Sequence, residues 1–98
     1  MKNFYGETVK PQYEVCLEWQ RGTEENPDWS LSDIDCELAS NYRDAVRIAK
    51  KLSLKHPDTT KERVYICCFF EDSISSYNMV WFEYYTDGKK ECRILNEY

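Results

Sequence analysis

Apolar and polar residues alternate through QYEVCLEWQ, with Tyr13, Val15, Leu17 and Trp19 pointing one way and Glu14, Cys16 and Glu18 the other. A period of two predicts a half-buried strand. Gly22, Asn26 and Pro27 mark a loop over residues 20–30. The alternation resumes in SDIDCELAS, where Ile34, Cys36 and Leu38 oppose Asp33, Asp35 and Glu37. This second strand pairs with the first. In SNYRDAVRIAKKLSLKHP the spacing changes to three and four, and Tyr42, Ala45, Val46, Ala49 and Leu52 form one stripe of a helix. Ser40 or Asn41 caps its start, and Pro57 bars continuation past His56.

Two further strands, VYICCFF and MVWFEYY, are apolar on both phases, unlike a strand with one wet face. DSISSY joins them. Asp87-Gly88 then signals a two-residue hairpin leading into a last strand from about Lys90 to Leu95. The order ββαβββ predicts an α+β fold of two layers, one helix on a mainly antiparallel sheet of about five strands. Residues 1–11 read as a loosely ordered lead-in, and residues 12–98 as a single domain.

One helix covers one face of such a sheet. The expected covered face carries Val15, Leu17, Ile66, Phe70, Val80, Phe82 and Ile94. The expected open face carries Glu14, Glu18, Tyr65, Phe69, Trp81, Glu83 and Tyr85. Three occupants suit that open face: a second copy of the chain, a different protein, or the chain itself through residues 1–11 or 20–30. In the last case Phe4, Tyr5 or Trp29 would act as plugs.

Composition narrows the function. With 98 residues, 42% of them hydrophobic and 15% aromatic, the chain suits one folded domain. A net charge of −5 disfavours direct nucleic-acid binding, which needs clustered cations. The charge is also segregated. Residues 12–40 hold Glu14, Glu18, Glu24, Glu25, Asp28, Asp33, Asp35 and Glu37 against Arg21 alone, whereas the helix carries Arg43, Arg47, Lys50, Lys51 and Lys55 against Asp44. The basic helix face reads as a solvated surface. Fields of this kind steer charged partners more than they set a fold. The five cysteines lie in apolar strand patterns and read as small hydrophobes in a reducing cytoplasm. No window approaches the 18 apolar residues that would suggest a membrane span.

Catalytic and metal-binding patterns are missing. There is no CxxC, and His56 is the single histidine, so neither a zinc site nor a cysteine–histidine pair assembles from spacing. Asn26, Asp28, Ser30, Ser32 and Glu37 match the spacing of a calcium loop, but Leu31 stands where glycine is needed. Asp33 and Asp35 share a strand face without any sign of a pocket. An aromatic sheet face suits RNA stacking, but one helix replaces the two of that motif and Glu14, Glu18 and Glu83 would repel phosphates. The expectation is a non-enzymatic protein with no cofactor.

Small size, acidity, one helix on an antiparallel sheet and no catalytic set resemble phage- and mobile-element-encoded inhibitors, such as anti-CRISPR proteins and the phage uracil-DNA glycosylase inhibitor. The latter is similar in its late three-strand meander ending in a charged hairpin. The likeness lies in architecture and charge, not in aligned residues. It implies an acidic protein-interaction module that inhibits a nucleic-acid-handling enzyme by offering carboxylates in place of phosphates. Asp33, Asp35, Glu37, Glu24, Glu25 and Asp28 would supply the charge, and Trp81, Tyr85, Phe69 and Trp29 the apolar anchors. The alternative is a structural homo-oligomer whose aromatic face is only a dimer interface.

Overall fold

The computed structural model describes residues 10–23, 25–30, 32–70 and 78–95. The elements follow in the order β1 (Gln12–Trp19), β2 (Asp33–Ala39), α1 (Tyr42–Lys55), β3 (Glu62–Phe70), β4 (Asn78–Thr86) and β5 (Lys89–Leu95). All pairings are antiparallel, in the spatial order β2-β1-β3-β4-β5. The fold is α+β, as the periodicities imply. Phe4, Tyr5, Glu24 and the DSISSY connection lie outside the described residues, as does most of the expected lead-in.

Helix α1 starts where Asn41 Oδ1 accepts the Asp44 N–H at 2.8 Å. It ends with the His56 N–H donating to the Leu52 carbonyl at 3.0 Å, just before Pro57. Its most buried residues, Ala45, Ala49 and Ser53, are small, so the backbone lies close over β1, β3 and β4. Val15, Leu17, Val64, Ile66, Cys68, Trp81 and Tyr85 rise from the sheet to meet it. Ser53 is buried yet satisfied. Its hydroxyl donates to the Lys50 carbonyl and accepts the Gly88 N–H at 2.8 Å, tying the helix to the β4–β5 turn. That turn has positive φ at both centres, 52° at Asp87 and 76° at Gly88, the geometry expected of an Asp-Gly hairpin.

The faces of β4 differ from expectation. Cys68 pairs with Trp81 while Phe69 pairs with Met79, so Val80 is an extra residue and the strand bulges there. Beyond the bulge the alternation is reversed. Trp81, Glu83 and Tyr85 face the helix, whereas Phe82 and Tyr84 join Tyr65, Cys67 and Phe69 on the other face. The assignment of Trp81, Glu83 and Tyr85 to the open face is therefore corrected. So is that of Phe82 and Ile94 to the covered face, since Ile94 pairs with Phe82. Hydrophobicity could not reveal this phase, because MVWFEYY is apolar in either one.

A second correction concerns the cysteines. Cys16 and Cys36, directly opposed on β1 and β2, form a disulfide with a Cα–Cα separation of 4.2 Å. Cys67, Cys68 and Cys92 carry thiols.

Candidate functional site

The register assembles the face opposite the helix strand by strand. Ile34, Cys36 and Leu38 of β2 continue into Glu14, Cys16 and Glu18 of β1, then into Arg63, Tyr65, Cys67 and Phe69 of β3. Met79, Phe82 and Tyr84 follow from β4, and Cys92 and Ile94 from β5. The centre is close-packed, with Cys16, Tyr65, Cys67 and Phe69 all buried. Tyr65 meets Phe82 edge-on at 5.9 Å and Tyr84 at 5.3 Å. The flanks are open: Ile34 is 53% exposed, Leu38 60% and Ile94 52%. Between centre and flank lies a cavity of about 190 Å³, bordered by Ile34, Cys36, Tyr65, Met79 and Phe82.

One corner is polar and covered. The Arg63 guanidinium donates to Glu18, lies 4.2 Å from the centre of the Trp29 ring and approaches Tyr84. Ser32 donates to the other oxygen of Glu18. The 20–30 loop is held by Gln20, whose amide bonds the Thr60 carbonyl at 2.6 Å and accepts the Asp28 N–H at 2.9 Å. Trp29 thus stacks on Arg63 at one corner of the face. Burial, with Glu18 nearby, pushes the Tyr65 phenol up to about 12, so the ring presents a neutral hydroxyl.

The acidic residues stand apart from this face. Asp33, Asp35 and Glu37 occupy the opposite side of β2 and are exposed. Asp33 is paired with Arg21 at 2.7 Å. Asp35 and Glu37 border a groove of about 210 Å³ between β2 and the helix, lined by Val15, Leu17, Ile48 and Leu52. Glu37 also shares a hollow with Arg47, Lys51 and Lys55. The acidic strand and the basic helix, consecutive in sequence, are therefore also neighbours in space. Glu25 and Asp28 are exposed in the loop. Ser30 donates through its hydroxyl and N–H to Asp28, holding that carboxyl below its usual range. Of the expected anchors, Phe69 lies on the open face and Trp29 at its corner, while Trp81 and Tyr85 belong to the helix-side core. Ile34, Leu38, Phe82, Tyr84 and Ile94 were missed. For β2 the signal was present, since antiparallel pairing sets its apolar phase beside the polar phase of β1.

Behind the face, Glu83 is wholly buried and fully engaged. It accepts from the hydroxyls of Tyr42 at 2.6 Å and Tyr85 at 2.7 Å. Arg93 adds bonds at 2.9 and 2.7 Å, and Lys90 stands 3.5 Å away. Burial alone would raise its carboxyl, but the bonds from Tyr42, Tyr85 and Arg93 and the charge of Lys90 hold it below its ordinary value. Arg93 also stacks 4.0 Å above Trp81. Such a carboxylate is a structural anion, with its lone pairs occupied, rather than a poised general base.

The other candidate chemistry does not assemble among the described residues. The Ser32 hydroxyl is spent on Glu18 and Glu37 lies within β2, so the calcium-loop spacing makes no cage. Glu14, Cys16 and Cys36 bring donor atoms within 4.8 Å of one another, but both sulfurs are bonded in the disulfide. His56 Nδ1 contacts Glu62 at 2.7 Å. Burial and the adjacent Cys67 push the Cys68 thiol up to about 11, the reverse of nucleophile activation. Comparison with protein-family models, curated proteins and solved structures returns no match. No helix is long and apolar enough to cross a membrane among the described residues.

Proposed function

We propose that the protein is a non-enzymatic binding module that docks another protein on the open face of its sheet. The observation that carries this reading is the exposure of Ile34, Leu38 and Ile94 on one face, around an apolar cavity. Among the described residues no helix or strand lies over it. A contiguous apolar patch rimmed by polar groups is how soluble proteins present an interaction site. Tyr84, Phe82 and Ile94 take the anchor role first assigned to Trp81 and Tyr85.

In its finer form the module is a cytoplasmic inhibitor of a nucleic-acid-handling enzyme, in the style of the acidic inhibitors it resembles. Asp35, Glu37, Glu25 and Asp28 are its phosphate-like charges, and the net charge of −5 favours a basic target. In a reducing cytoplasm the Cys16–Cys36 bond would be open to reduction. The test is affinity capture from source-cell lysate, with Leu38→Glu/Ile94→Glu beside wild type and light scattering on both. A protein caught by wild type and lost by the variant supports the module, and loss of that protein's nucleic-acid binding supports the inhibitor. Equal capture by both sinks the docking face. Self-association alone makes the face a dimer interface.

A further inference from the structure

We infer that the free edge of β2 accepts an extended segment of a partner protein, whose residues alternate between cationic and apolar. This rests on the reading of the chain as a protein-binding module and names the chemistry of what it binds.

Among the described residues, strand β2 ends the sheet and pairs only with β1. Six of its seven residues are exposed. The 4.2 Å Cα–Cα separation of Cys16 and Cys36 marks them as a pair that exchanges no backbone hydrogen bonds, since hydrogen-bonded pairs stand about 5.5 Å apart. Cys36 therefore turns its N–H and carbonyl away from β1. The ladder alternates, so Ile34 and Leu38 do the same, whereas Asp35 and Glu37 bond inward to β1. No described turn or loop bonds the backbone of Ile34, Cys36 or Leu38. Seven antiparallel pairs hold this edge to β1, and the disulfide pins it further in the oxidised chain, so a partner meets a template already in place.

Side chains specify the occupant. Residues opposite Ile34, Cys36 and Leu38 would exchange backbone bonds with them and share their apolar side. The intervening residues would sit opposite Asp35 and Glu37 in the closer, non-hydrogen-bonded pairs, where cations gain most. A second copy does not fit. Antiparallel pairing of two β2 strands about Cys36 sets Asp35 against Glu37 twice. The other edge, β5, is bulged at Glu91, between the Tyr84–Cys92 and Tyr85–Lys90 pairs, and its Lys90 and Arg93 are engaged by Glu83. The helix cations Arg47, Lys51 and Lys55 border the hollow beside Glu37, so attraction is strongest toward Asp35.

The experiment uses the full chain, oxidised, with synthetic peptides of the same seven-residue length as β2, alternating lysine and valine. Amide hydrogen exchange is read by NMR. At saturating peptide, protection of the Ile34, Cys36 and Leu38 amides rises at least about tenfold while that of Asp35 and Glu37 stays level. N-methylation of the peptide's valines abolishes the effect and N-methylation of its lysines does not. Asp35→Lys/Glu37→Lys weakens binding, as does added salt. Unchanged protection at the three amides overturns the inference. Equal binding of the valine-methylated peptide, or of a glutamate–valine peptide, does so too. Protection that rises with protein concentration alone would assign the edge to a second copy. If the peptide fails while lysate capture stays sensitive to Leu38→Glu/Ile94→Glu, the edge inference falls and the docking face stands.

Discussion

Replacing Glu83 by glutamine keeps the shape of the side chain and removes its charge from the interior. The carboxylate accepts from two tyrosine hydroxyls and a two-pronged Arg93, with Lys90 nearby. Glutamine still accepts through one oxygen, but its amide now points a donor at donors. Breaking a buried charge pair by removing one partner costs about 3–5 kcal/mol. Arg93 is 42% exposed and recovers water, so the loss belongs at the low end, about 3 kcal/mol. Urea unfolding followed by the fluorescence of Trp19, Trp29 and Trp81 measures it, and the slope against urea should not change. The difference also depends on pH in a set direction. Glu83 titrates lower folded than unfolded, so its contribution is complete above the unfolded value, near 4.3. It is lost as pH falls through the folded value, and the wild-type and Glu83→Gln stabilities should converge in acid. A loss under about 1 kcal/mol at pH 7, or a difference constant with pH, would refute the account of Glu83 as a bonded anion.

Opening the disulfide releases a link between residues 20 apart in sequence, worth about 3 kcal/mol in chain entropy. Cys16→Ser/Cys36→Ser and reduced wild type should therefore melt together, roughly 10–20 °C below the oxidised protein. Coincident melting of oxidised and reduced wild type would exclude the bond. Gly88→Ala sets a Cβ at a φ of 76° and 3.2 Å from Leu54 Cγ, so it should destabilise by about 1–2 kcal/mol without altering the helix signal in circular dichroism.

Periodicity made most of the architecture legible. The strict alternation of residues 13–19 and 33–39 marked two strands, and the stripe of Tyr42, Ala45, Val46, Ala49 and Leu52 marked the helix. Asp87-Gly88 placed the hairpin at the observed turn. The candidate site was less legible because a face is a phase, and phase is a property of pairing. In Asn78–Thr86 both phases are apolar, so nothing local separated a straight strand from one carrying an extra residue at Val80. Glu83 misled further. A lone acid in an apolar strand reads as solvent-facing, and only the tertiary fold brings Tyr42 and Arg93 to it. The disulfide was hidden for the same reason, since it needs Cys16 and Cys36 in register across two strands and a twenty-residue separation.

The bulge at Val80 decides the character of the open face. Without it, the phase of Met79 would carry Trp81, Glu83 and Tyr85 outward, and a carboxylate would sit amid the apolar centre. With it, Phe82 and Tyr84 take those places, and Glu83 turns inward to a helix that offers Tyr42 and a hairpin that offers Lys90 and Arg93. Burying that anion demands donors from β4, β5 and the helix, which is an expensive arrangement for a strand with apolar residues available. Bulges of this kind re-aim side chains beside functional sites. The same chain leaves Ile34, Leu38 and Ile94 in water on the face so cleared. Inward charge and outward hydrophobes are the opposite of what solubility alone would favour, and they make sense together if the face is kept apolar for a partner.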